Sequence, residues 1–311
     1  MRTYARLLPL ATVFLLAGCV DFVDFGDSEA FKEDFHHTYP LQPGGTVSVE
    51  TFNGAIEVSG WERDSVEVNG TKYASTKFGL DEIKIDASTS SSSVNIRATR
   101  SSGFHRNGGA RFTVRVPRRV TLDPISTSNG HLRIEDVEGT VRLRTSNGGI
   151  RVSGVKGETE ARTSNGTIEA DYVEGDTRLH TSNGAIRAEV SRGILEATTS
   201  NGSITGRLRD AAPTWPVRVE SSNGHIDLRI DGKQIPEVRA STSNSSIVVR
   251  LPAGANADVR AHTSHSSVTS EFDGVRVENE HGRGEMSGKI GSGGRLIELS
   301  SSNGSIKILR L

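Results

Sequence analysis

Apolar and polar residues alternate along most of the chain, in short runs that end at a recurring four-residue phrase. Thr-Ser-Asn-Gly occupies positions 127–130, 145–148, 163–166, 181–184 and 199–202, so its asparagines are spaced 18 residues apart. Apolar residues follow at the third and fifth positions after each asparagine, as in Ile150 and Val152. A period of two is typical of a β-strand, because successive side chains leave opposite faces. Each repeat therefore predicts one short strand directly after the phrase.

A second strand completes each repeat. Glycine recurs at the tenth position after the asparagine, and this residue can adopt the positive φ of a tight turn. Alternation then resumes, as in Val141, Leu143 and Thr145, and leads into the next phrase. A two-strand unit repeated at a fixed period stacks on copies of itself, so that like residues align. The aligned residues form a predicted structural ladder: Asn129, Asn147, Asn165, Asn183, Asn201, Thr145, Thr163, Thr181 and Thr199.

Asn-Gly is also typical of a two-residue β-hairpin, which would make the repeats an antiparallel meander. A meander does not require Asn, Gly, Ile and Thr each to return at one fixed position, whereas a parallel stack does. The sequence therefore predicts an all-β fold, a single elongated parallel β-solenoid (β-helix) with about 18 to 22 residues per coil. We expect the corner asparagines to form hydrogen bonds along the stack. Counting by two from Thr145 places Asn147 on the buried side of the coil.

The pattern also divides the chain into segments. Residues 38–120 show looser alternation and are predicted to be N-terminal capping strands, and residues 121–270 are predicted to be regular coils. Later in the array the spacing widens to 21 or 22 residues, through Asn223, Asn244 and His265. Residues 271–311 hold a Gly-rich excursion and a predicted closing coil, in which Ser-Ser-Asn-Gly returns at 301–304.

The N-terminus carries a separate signal. Two arginines precede an apolar run over residues 7–16, and Leu16-Ala17-Gly18-Cys19 resembles the box at which bacterial lipoprotein signals are cleaved. Cys19 is the only cysteine of the chain. This pattern predicts a signal peptide over residues 1–18, lipidation of Cys19 with acyl chains such as palmitate, and a lipidated tether over residues 19–37. The expected location is the bacterial cell envelope, the outer membrane in a Gram-negative host, with membrane lipid as a partner.

Composition narrows the choice of partners. The 37 lysines and arginines nearly balance the 38 aspartates and glutamates, so nucleic acid is not an expected partner. The aromatic content of 5% and the 34 glycines suit a thin solenoid with small interior side chains. The sequence has no P-loop and no Gly-x-Ser-x-Gly elbow, and we expect no cofactor and no bound metal. The oligomeric state is not specified by the sequence.

Outward positions of the repeat supply the candidate binding residues. Rows of like side chains on a rigid solenoid offer a repetitive surface to a glycan or an envelope protein. The predicted binding face combines position 4 after the asparagine with position 15: Arg133, Arg151 and Arg187, then Arg144, Arg162 and His180.

Paired carboxylates supply an enzymatic alternative. Asp171 and Glu189 share position 6 on successive coils, and Glu158 and Asp176 share position 11, which predicts a separation of about 5 Å in each pair. That separation resembles the carboxylate pair of retaining glycosidases. Charged residues make up 24% of the chain, so such pairs also arise by chance on a solvated face. The alternative hypothesis is a polysaccharide-degrading β-helix enzyme.

Several features together resemble one known family. They are Gly-Gly-Thr-Val at 44–47 leading to Asn53-Gly54, Trp61 after the first unit, the tandem Thr-Ser-Asn-Gly coils and the closing Ser-Ser-Asn-Gly-Ser-Ile. With the lipoprotein box, they resemble the bacterial putative-adhesin family of unknown function over about residues 40–311. The resemblance implies a β-solenoid with an adhesin-like role and assigns no functional residues. We therefore expect a lipid-anchored, non-enzymatic scaffold for a polymer or protein partner; an accessory role in envelope-stress signalling is a further hypothesis.

Overall fold

The computed structural model describes residues 31–101, 108–232 and 234–311. The predicted signal peptide, Cys19 and the first part of the predicted tether lie outside these residues. The N-terminal part contains β1 (Phe31–Pro40), β2 (Thr46–Asn53), β3 (Ile56–Trp61), β4 (Ser65–Ala74), the short helix α1 (Lys77–Asp81), β5 (Ile83–Thr89), β6 (Ser93–Arg100) and β7 (Gly108–Pro117).

The remaining strands continue without a further helix in the described part of the chain. The central strands are β8 (Thr121–Asn129), β9 (Leu132–Glu135), β10 (Val141–Asn147), β11 (Ile150–Ser153), β12 (Thr159–Arg162), β13 (Ile168–Glu174), β14 (Thr177–Thr181), β15 (Ile186–Arg192), β16 (Leu195–Thr199), β17 (Ile204–Leu208), β18 (Val217–Ser221), β19 (Ile226–Ile230), β20 (Val238–Thr242) and β21 (Ile247–Leu251). The C-terminal strands are β22 (Ala257–Thr263), β23 (Val268–Ser270), β24 (Val275–Glu280), β25 (Arg283–Ile290), β26 (Leu296–Ser301) and β27 (Ile306–Arg310).

The strands form two long sheets, and each coil contributes one strand to each sheet. Among the described residues, sheet A has 13 strands in the order β1-β4-β7-β3-β9-β11-β13-β15-β17-β19-β21-β27-β23, and sheet B has 14 in the order β24-β25-β22-β26-β20-β18-β16-β14-β12-β10-β8-β2-β6-β5. The coils pair in parallel and in register with the repeat: Ile150 stands beside Leu132 on one side and Ile168 on the other. The predicted all-β parallel β-solenoid is confirmed.

The space between the sheets is filled by stacked aliphatic side chains. Ile150, Ile168, Ile186 and Ile204 lie on successive coils and are at most 1% exposed. Burial of one such side chain contributes about 1.5–3 kcal/mol. Because each coil covers the inward residues of its neighbours, these ladders stabilise the array as a whole.

Each residue of the corner phrase has a distinct structural role. Thr163 is buried, and its Oγ1 donates to the carbonyl oxygen of Gly148 in the preceding corner at 3.0 Å. The same bond recurs in the neighbouring coils. Glycine is required because a Cβ on Gly166 would lie 2.0 Å from the Gly148 oxygen. Close stacking of the corners therefore depends on both the threonine hydroxyl and the bare glycine.

The corner asparagines face solvent, so the expected burial of Asn147 is wrong. Alternation of burial holds as far as the buried Thr145, but Ser146 and Asn147 at the end of β10 are both exposed, so counting by two does not extend to the corner. The carboxamides nevertheless bond to one another, with each Nδ2 donating to the Oδ1 of the preceding asparagine at 2.7–2.9 Å. The ladder includes Asn129, Asn147, Asn165, Asn183, Asn201, Asn223, Asn244 and Asn303.

The C-terminal coils do not stack in chain order. β26 lies between β20 and β22, and β27 lies between β21 and β23. The asparagine ladder accordingly passes from Asn244 to Asn303 at 2.7 Å, and His265 stands beyond it. The predicted closing coil is therefore an inner coil. The earlier coil of β22 and β23 covers it, and the β24-β25 hairpin extends sheet B by antiparallel pairing.

The N-terminal end has a similar exchange. β2 and β3, which the prediction counts among the capping strands, form a coil directly against β8 and β9. β6 and β7 come later in the chain but lie on the outer side of that coil. β4 and β1 then extend sheet A in antiparallel fashion, and β5 does the same for sheet B.

The predicted boundary between tether and solenoid at residues 37 and 38 is wrong, because β1 begins at Phe31 and pairs along its length with β4. Phe35 explains why this segment is ordered into the sheet. Its ring lies over Gly70, where a Cβ would be only 2.1 Å away, and meets Phe112 edge-on at a centroid distance of 5.7 Å. Among the described residues, the structure has no helix of the length and apolarity that a membrane span needs.

Candidate functional site

The predicted binding face is divided between the two sheets. Arg133, Arg151 and Arg187 lie on β9, β11 and β15 of sheet A. Arg144, Arg162 and His180 lie on β10, β12 and β14 of sheet B. The structure therefore brings together the members of each row and separates the two rows, which lie on different sheets of the coil.

The sheet A row is largely neutralised by neighbouring carboxylates. Arg133 Nη2 lies 2.6 Å from an oxygen of Glu135, and Arg187 Nη1 lies 3.1 Å from Glu169. Arg151 reaches the other oxygen of Glu169 at 3.4 Å. The hydrogen bond from Arg133 to Glu135, followed by the charge of Glu135, raises the pKa of the guanidinium. These exposed pairs contribute little stability because solvent screens them, but they reduce the row's capacity for an external anion.

The sheet B row retains unbalanced positive charge. Arg144, Arg162 and His180 stand side by side on three adjacent strands, which are spaced about 4.8 Å apart. Arg162 Nε donates to Glu160 of its own strand at 2.7 Å. Arg144 is exposed and has no hydrogen-bond or ion-pair partner among the described residues. Three basic side chains therefore share a single neighbouring carboxylate along this row.

These side chains line a cleft of about 560 Å³. Each basic residue is followed two positions later by a serine that faces the same side of the strand. The cleft is bounded toward the N-terminal end by Phe52, Ala98 and the ion pair of Arg97 with Glu50, whose atoms lie 3.8 Å apart. We call it the basic groove and define it by Arg144, Arg162 and His180 with Ser146, Ser164 and Ser182.

The asparagine ladder follows the groove along its corner side. Each asparagine comes directly after a groove serine and is exposed, as at Asn147 and Asn165. A carboxamide has two N–H donors and two acceptor lone pairs, and the ladder uses one of each. A second N–H and a second lone pair per coil therefore remain for a ligand. The groove offers cations, hydroxyls and amides at the repeat spacing.

The groove loses its basic character toward the C-terminal end. A second cleft of about 440 Å³ continues along the same rows of sheet B. Its lining contains hydroxyl side chains together with Glu220 and His262, and no arginine. The basic groove is therefore a localised feature of the β10, β12 and β14 coils and not a property of the whole sheet.

The first carboxylate pair of the enzymatic alternative lies at a bulge, and each of its members is bonded to an arginine. Tyr172 adopts a φ of 55° in a bulge of β13, so that Val173 pairs with Val190 and the register after Ala170 is shifted. The register of β13 and β15 therefore does not pair Asp171 directly with Glu189. Asp171 instead accepts from Arg151 at 3.4 Å, and Glu189 accepts from Arg209.

The second pair is also occupied by donors. Glu158 accepts from Arg178 Nη1 at 2.6 Å, and Asp176 accepts from the backbone N–H of Ile194 at 3.1 Å. Each carboxylate thus serves a contact of the solenoid itself. Within the described residues, no three His, Cys, Asp or Glu side chains come close enough together to hold a metal ion.

The basic residues of the groove were predictable from the sequence. The absence of ion-pair partners that distinguishes Arg144 from the arginines of the sheet A row, within the described residues, was not. The serine at position 17 and the arginine at position 15 are both visible in the repeat, and their spacing of two places them on one side of a strand. The two arginine rows differ in their ion pairs, and these depend on which strands are neighbours in a sheet. Strand adjacency is visible only in the folded structure.

The chain matches one protein-family model. The model described as Toastrack DUF4097 matches residues 43–309, which include the regular coils and both exchanged ends. The chain belongs to the Toastrack family. No curated protein matches it.

Solved structures similar to this Toastrack chain come from Clostridium, Bacteroides and Parabacteroides. A putative cell adhesion protein from Clostridium sporogenes ATCC 15579 is 11% identical, covers 90% of this chain and 100% of its own, and gives a TM-score of 0.24. A putative adhesin from Bacteroides fragilis NCTC 9343 is 12% identical, with coverages of 89% and 97% and a TM-score of 0.43. A putative adhesin from Parabacteroides merdae ATCC 43184 is 8% identical, with coverages of 89% and 96% and a TM-score of 0.32.

Proposed function

We propose that this Toastrack protein is a lipid-anchored scaffold of the bacterial cell envelope that binds an anionic polymer, an acidic glycan, in the basic groove without chemically altering it. One observation carries the proposal. Arg144 is exposed without a partner among the described residues, beside Arg162 and His180, whereas the arginines of the sheet A row are paired.

The chemistry of the groove suits an acidic glycan. A guanidinium presents a planar fork of donors that matches a carboxylate, sulfate or phosphate group. The serine hydroxyls, and the second N–H donor and acceptor lone pair of each ladder asparagine, can form hydrogen bonds with sugar hydroxyls. Because the basic residues recur at about 4.8 Å, a ligand with regularly repeated charges engages several of them at once.

A binding role without catalysis is supported by the state of the carboxylates. Asp171, Glu189 and Glu158 each bind an arginine, and Asp176 binds a backbone N–H. None of them lines the basic groove. The lipid anchor is supported by the Leu-Ala-Gly-Cys box that ends at Cys19.

The test compares two double variants of equal charge change. We expect Arg144→Ala/Arg162→Ala to weaken binding to a polyuronic acid by about tenfold or more, since a charge-assisted hydrogen bond contributes about 1.5–3 kcal/mol and 1.4 kcal/mol is tenfold in affinity. The control, Arg133→Ala/Arg187→Ala, removes the same charge from sheet A and leaves Glu169 paired with Arg151. Binding is measured by calorimetry at two salt concentrations, with a neutral glucan as the ligand control.

The outcomes separate the hypotheses. Loss confined to the sheet B variant supports the groove. Equal loss in both variants shows unspecific attraction and contradicts the groove as the site. Absence of binding to any acidic glycan contradicts the ligand class, and release of shortened glycans from the incubated polymer supports the polysaccharide-degrading alternative.

A further inference from the structure

We infer that the N-terminal end of the solenoid docks on the lipid surface through Phe31 and Phe78, so that the long axis projects away from the bilayer. The inference rests on the lipid-anchor part of the proposed function. It adds an interaction surface and an orientation that the anchor alone does not give.

The two phenylalanines are unusually exposed for large apolar side chains. Phe78 is 69% exposed and Phe31 is 41% exposed. Among the described residues the other exposed large apolar side chains are Tyr172, Val277 and Leu311, and none of these lies on β1 or α1. Exposed apolar side chains that stand together mark contact surfaces for proteins or membranes. The patch formed by Phe31 and Phe78 is called the phenylalanine patch.

Local structure places both residues at the same end. Phe31 stands opposite Ala74 in the pairing of β1 with β4. The chain then turns into α1, which packs against β1 and β4. Thr76 caps this helix by accepting from the N–H of Gly79 at 3.1 Å. The cap fixes the turn that carries Phe78, so its ring projects from ordered backbone beside the start of β1.

The position of the anchor points to lipid as the occupant. Phe31 is the first described residue, and Cys19 precedes it by 12 positions. A chain of that length spans at most about 40 Å when fully extended. An acylated Cys19 therefore keeps the start of β1, and with it the phenylalanine patch, within about 40 Å of the bilayer surface. At that high local concentration, even the weak interfacial affinity of two aromatic side chains is sufficient for contact.

The fold then sets the orientation of the molecule. β1 is the outermost strand of sheet A at this end, and β23 is the outermost strand at the other. With 13 strands about 4.8 Å apart, the far end lies about 60 Å away. Docking of the phenylalanine patch consequently holds the distal coils away from the bilayer.

The experiment uses the lipidated full chain in vesicles of phosphatidylethanolamine and phosphatidylglycerol. Cys19 is the only native cysteine, so an introduced cysteine is the sole free thiol once Cys19 is acylated. An environment-sensitive dye is attached to Phe78→Cys and, as a matched control, to Leu311→Cys, which is 44% exposed at the other terminus. We expect a blue-shifted emission and quenching by a lipid-borne quencher at position 78, and neither effect at position 311.

Each other result overturns the inference. If the protein co-sediments with vesicles but the dye at position 78 emits as it does in water, the lipid anchor is supported and docking of the patch is refuted. Equal quenching at both positions shows that the solenoid lies flat. A blue shift that appears without vesicles and grows with protein concentration assigns the patch to a second copy of the chain. Failure to co-sediment refutes the anchor and the docking together.

Discussion

A single hydroxyl in each coil supports the close approach of the corners of this solenoid. Thr163 Oγ1 satisfies the Gly148 carbonyl oxygen, which lies near the stacked glycine of the next corner. A buried carbonyl that loses its donor costs about 1–3 kcal/mol. The threonine hydroxyl thus contributes more than the β-branched shape does, because valine would fill the same volume. Serine at positions 221 and 301 makes the equivalent bond.

Thr163→Val tests this role of the hydroxyl. The substitution keeps the volume and removes the donor, so we expect the free energy of unfolding to fall by about 1–3 kcal/mol. Urea unfolding followed by circular dichroism measures the change. The neighbouring exposed Ser164→Ala is the control and should change stability by less than about 0.5 kcal/mol. Equal effects of the two substitutions would show that the bond to Gly148 contributes nothing.

At the residue scale, the sequence predicted which residues align and failed to predict where one of them points. The 18-residue spacing of the asparagines was sufficient to place Asn147 over Asn129, and the structure has Nδ2 and Oδ1 of that pair 2.9 Å apart. The direction of the side chain depends on the dihedral angles of the corner, which a period-two count does not contain. Exposure of the ladder is what allows it to contribute to a binding surface.

Two outward rows on sheet B differ in how their charges are arranged from strand to strand. At position 13, arginine and glutamate alternate from coil to coil, and Arg178 Nε lies 3.4 Å from Glu196 of the next strand. At position 15, Arg144 stands beside Arg162 with no carboxylate between them. Like charges directly opposite each other destabilise a sheet. A local departure from an otherwise balanced pattern is typical of a functional surface.

We predict that the loss of folding stability at low pH depends in part on Asp231, which lies just after β19. Burial alone would raise the pKa of this carboxyl, but hydrogen bonds from Arg229 and Arg207, each 2.7 Å long, outweigh it and lower the pKa. A carboxyl whose folded pKa is depressed stabilises the fold above its unfolded pKa of about 3.9, and that contribution is lost as the pH falls through the folded pKa. Stability should therefore decrease below about pH 4.

Asp231→Asn removes this proton-linked contribution. We expect the variant to be less stable at pH 7 and to lose less stability than the wild type between about pH 4 and pH 2. Thermal unfolding across that range measures the slope. Asp273→Asn removes a carboxylate from a fully exposed side chain and should follow the wild-type slope. An unchanged slope in Asp231→Asn would contradict the assignment.

The regular coils were predictable from sequence because each element depends only on its neighbours in the array. The bulge at Tyr172 was not, because one residue with positive φ is enough to shift the pairing of Val173 and leaves no trace in the spacing of the asparagines. The strand β1 was missed for a similar reason. Its pairing depends on Phe35 lying over Gly70, a contact between residues far apart in the chain.

The order of coils is a property of the whole molecule. The coils at 257–270 and 296–310 both have the inward apolar positions and the buried Thr263 or Ser301 of the repeat, so either could stack on β20 and β21. The corner residue distinguishes them. Asn303 extends the carboxamide ladder from Asn244, whereas His265 cannot donate and accept in the same geometry. The sequence contains this difference between Asn303 and His265. Its effect on the order of the coils can be inferred only once the carboxamide ladder is known.

Deletion of residues 292–311 tests that order directly. The deletion removes β26 and β27, which lie between the coil of β20 and β21 and the coil of β22 and β23. We expect the amides of β22 and β23 to lose their protection from hydrogen exchange, since their parallel neighbours are gone and the ladder lacks its next asparagine. The amides of β25 should follow, because β25 pairs with β22. The amides of β10 to β15 should stay protected, because each coil contacts only its neighbours.

Stacking in simple chain order makes the opposite prediction for the same deletion. There, residues 292–311 would form the outermost coil, and β22 and β23 would keep their contact with β20 and β21. Retained protection of β22 and β23 would therefore contradict the exchanged order or show that this coil docks again on β21 without help from Asn303. Adding His265→Asn to the deletion separates these two outcomes: if the carboxamide ladder selects the order, the substitution should restore protection to β22 and β23.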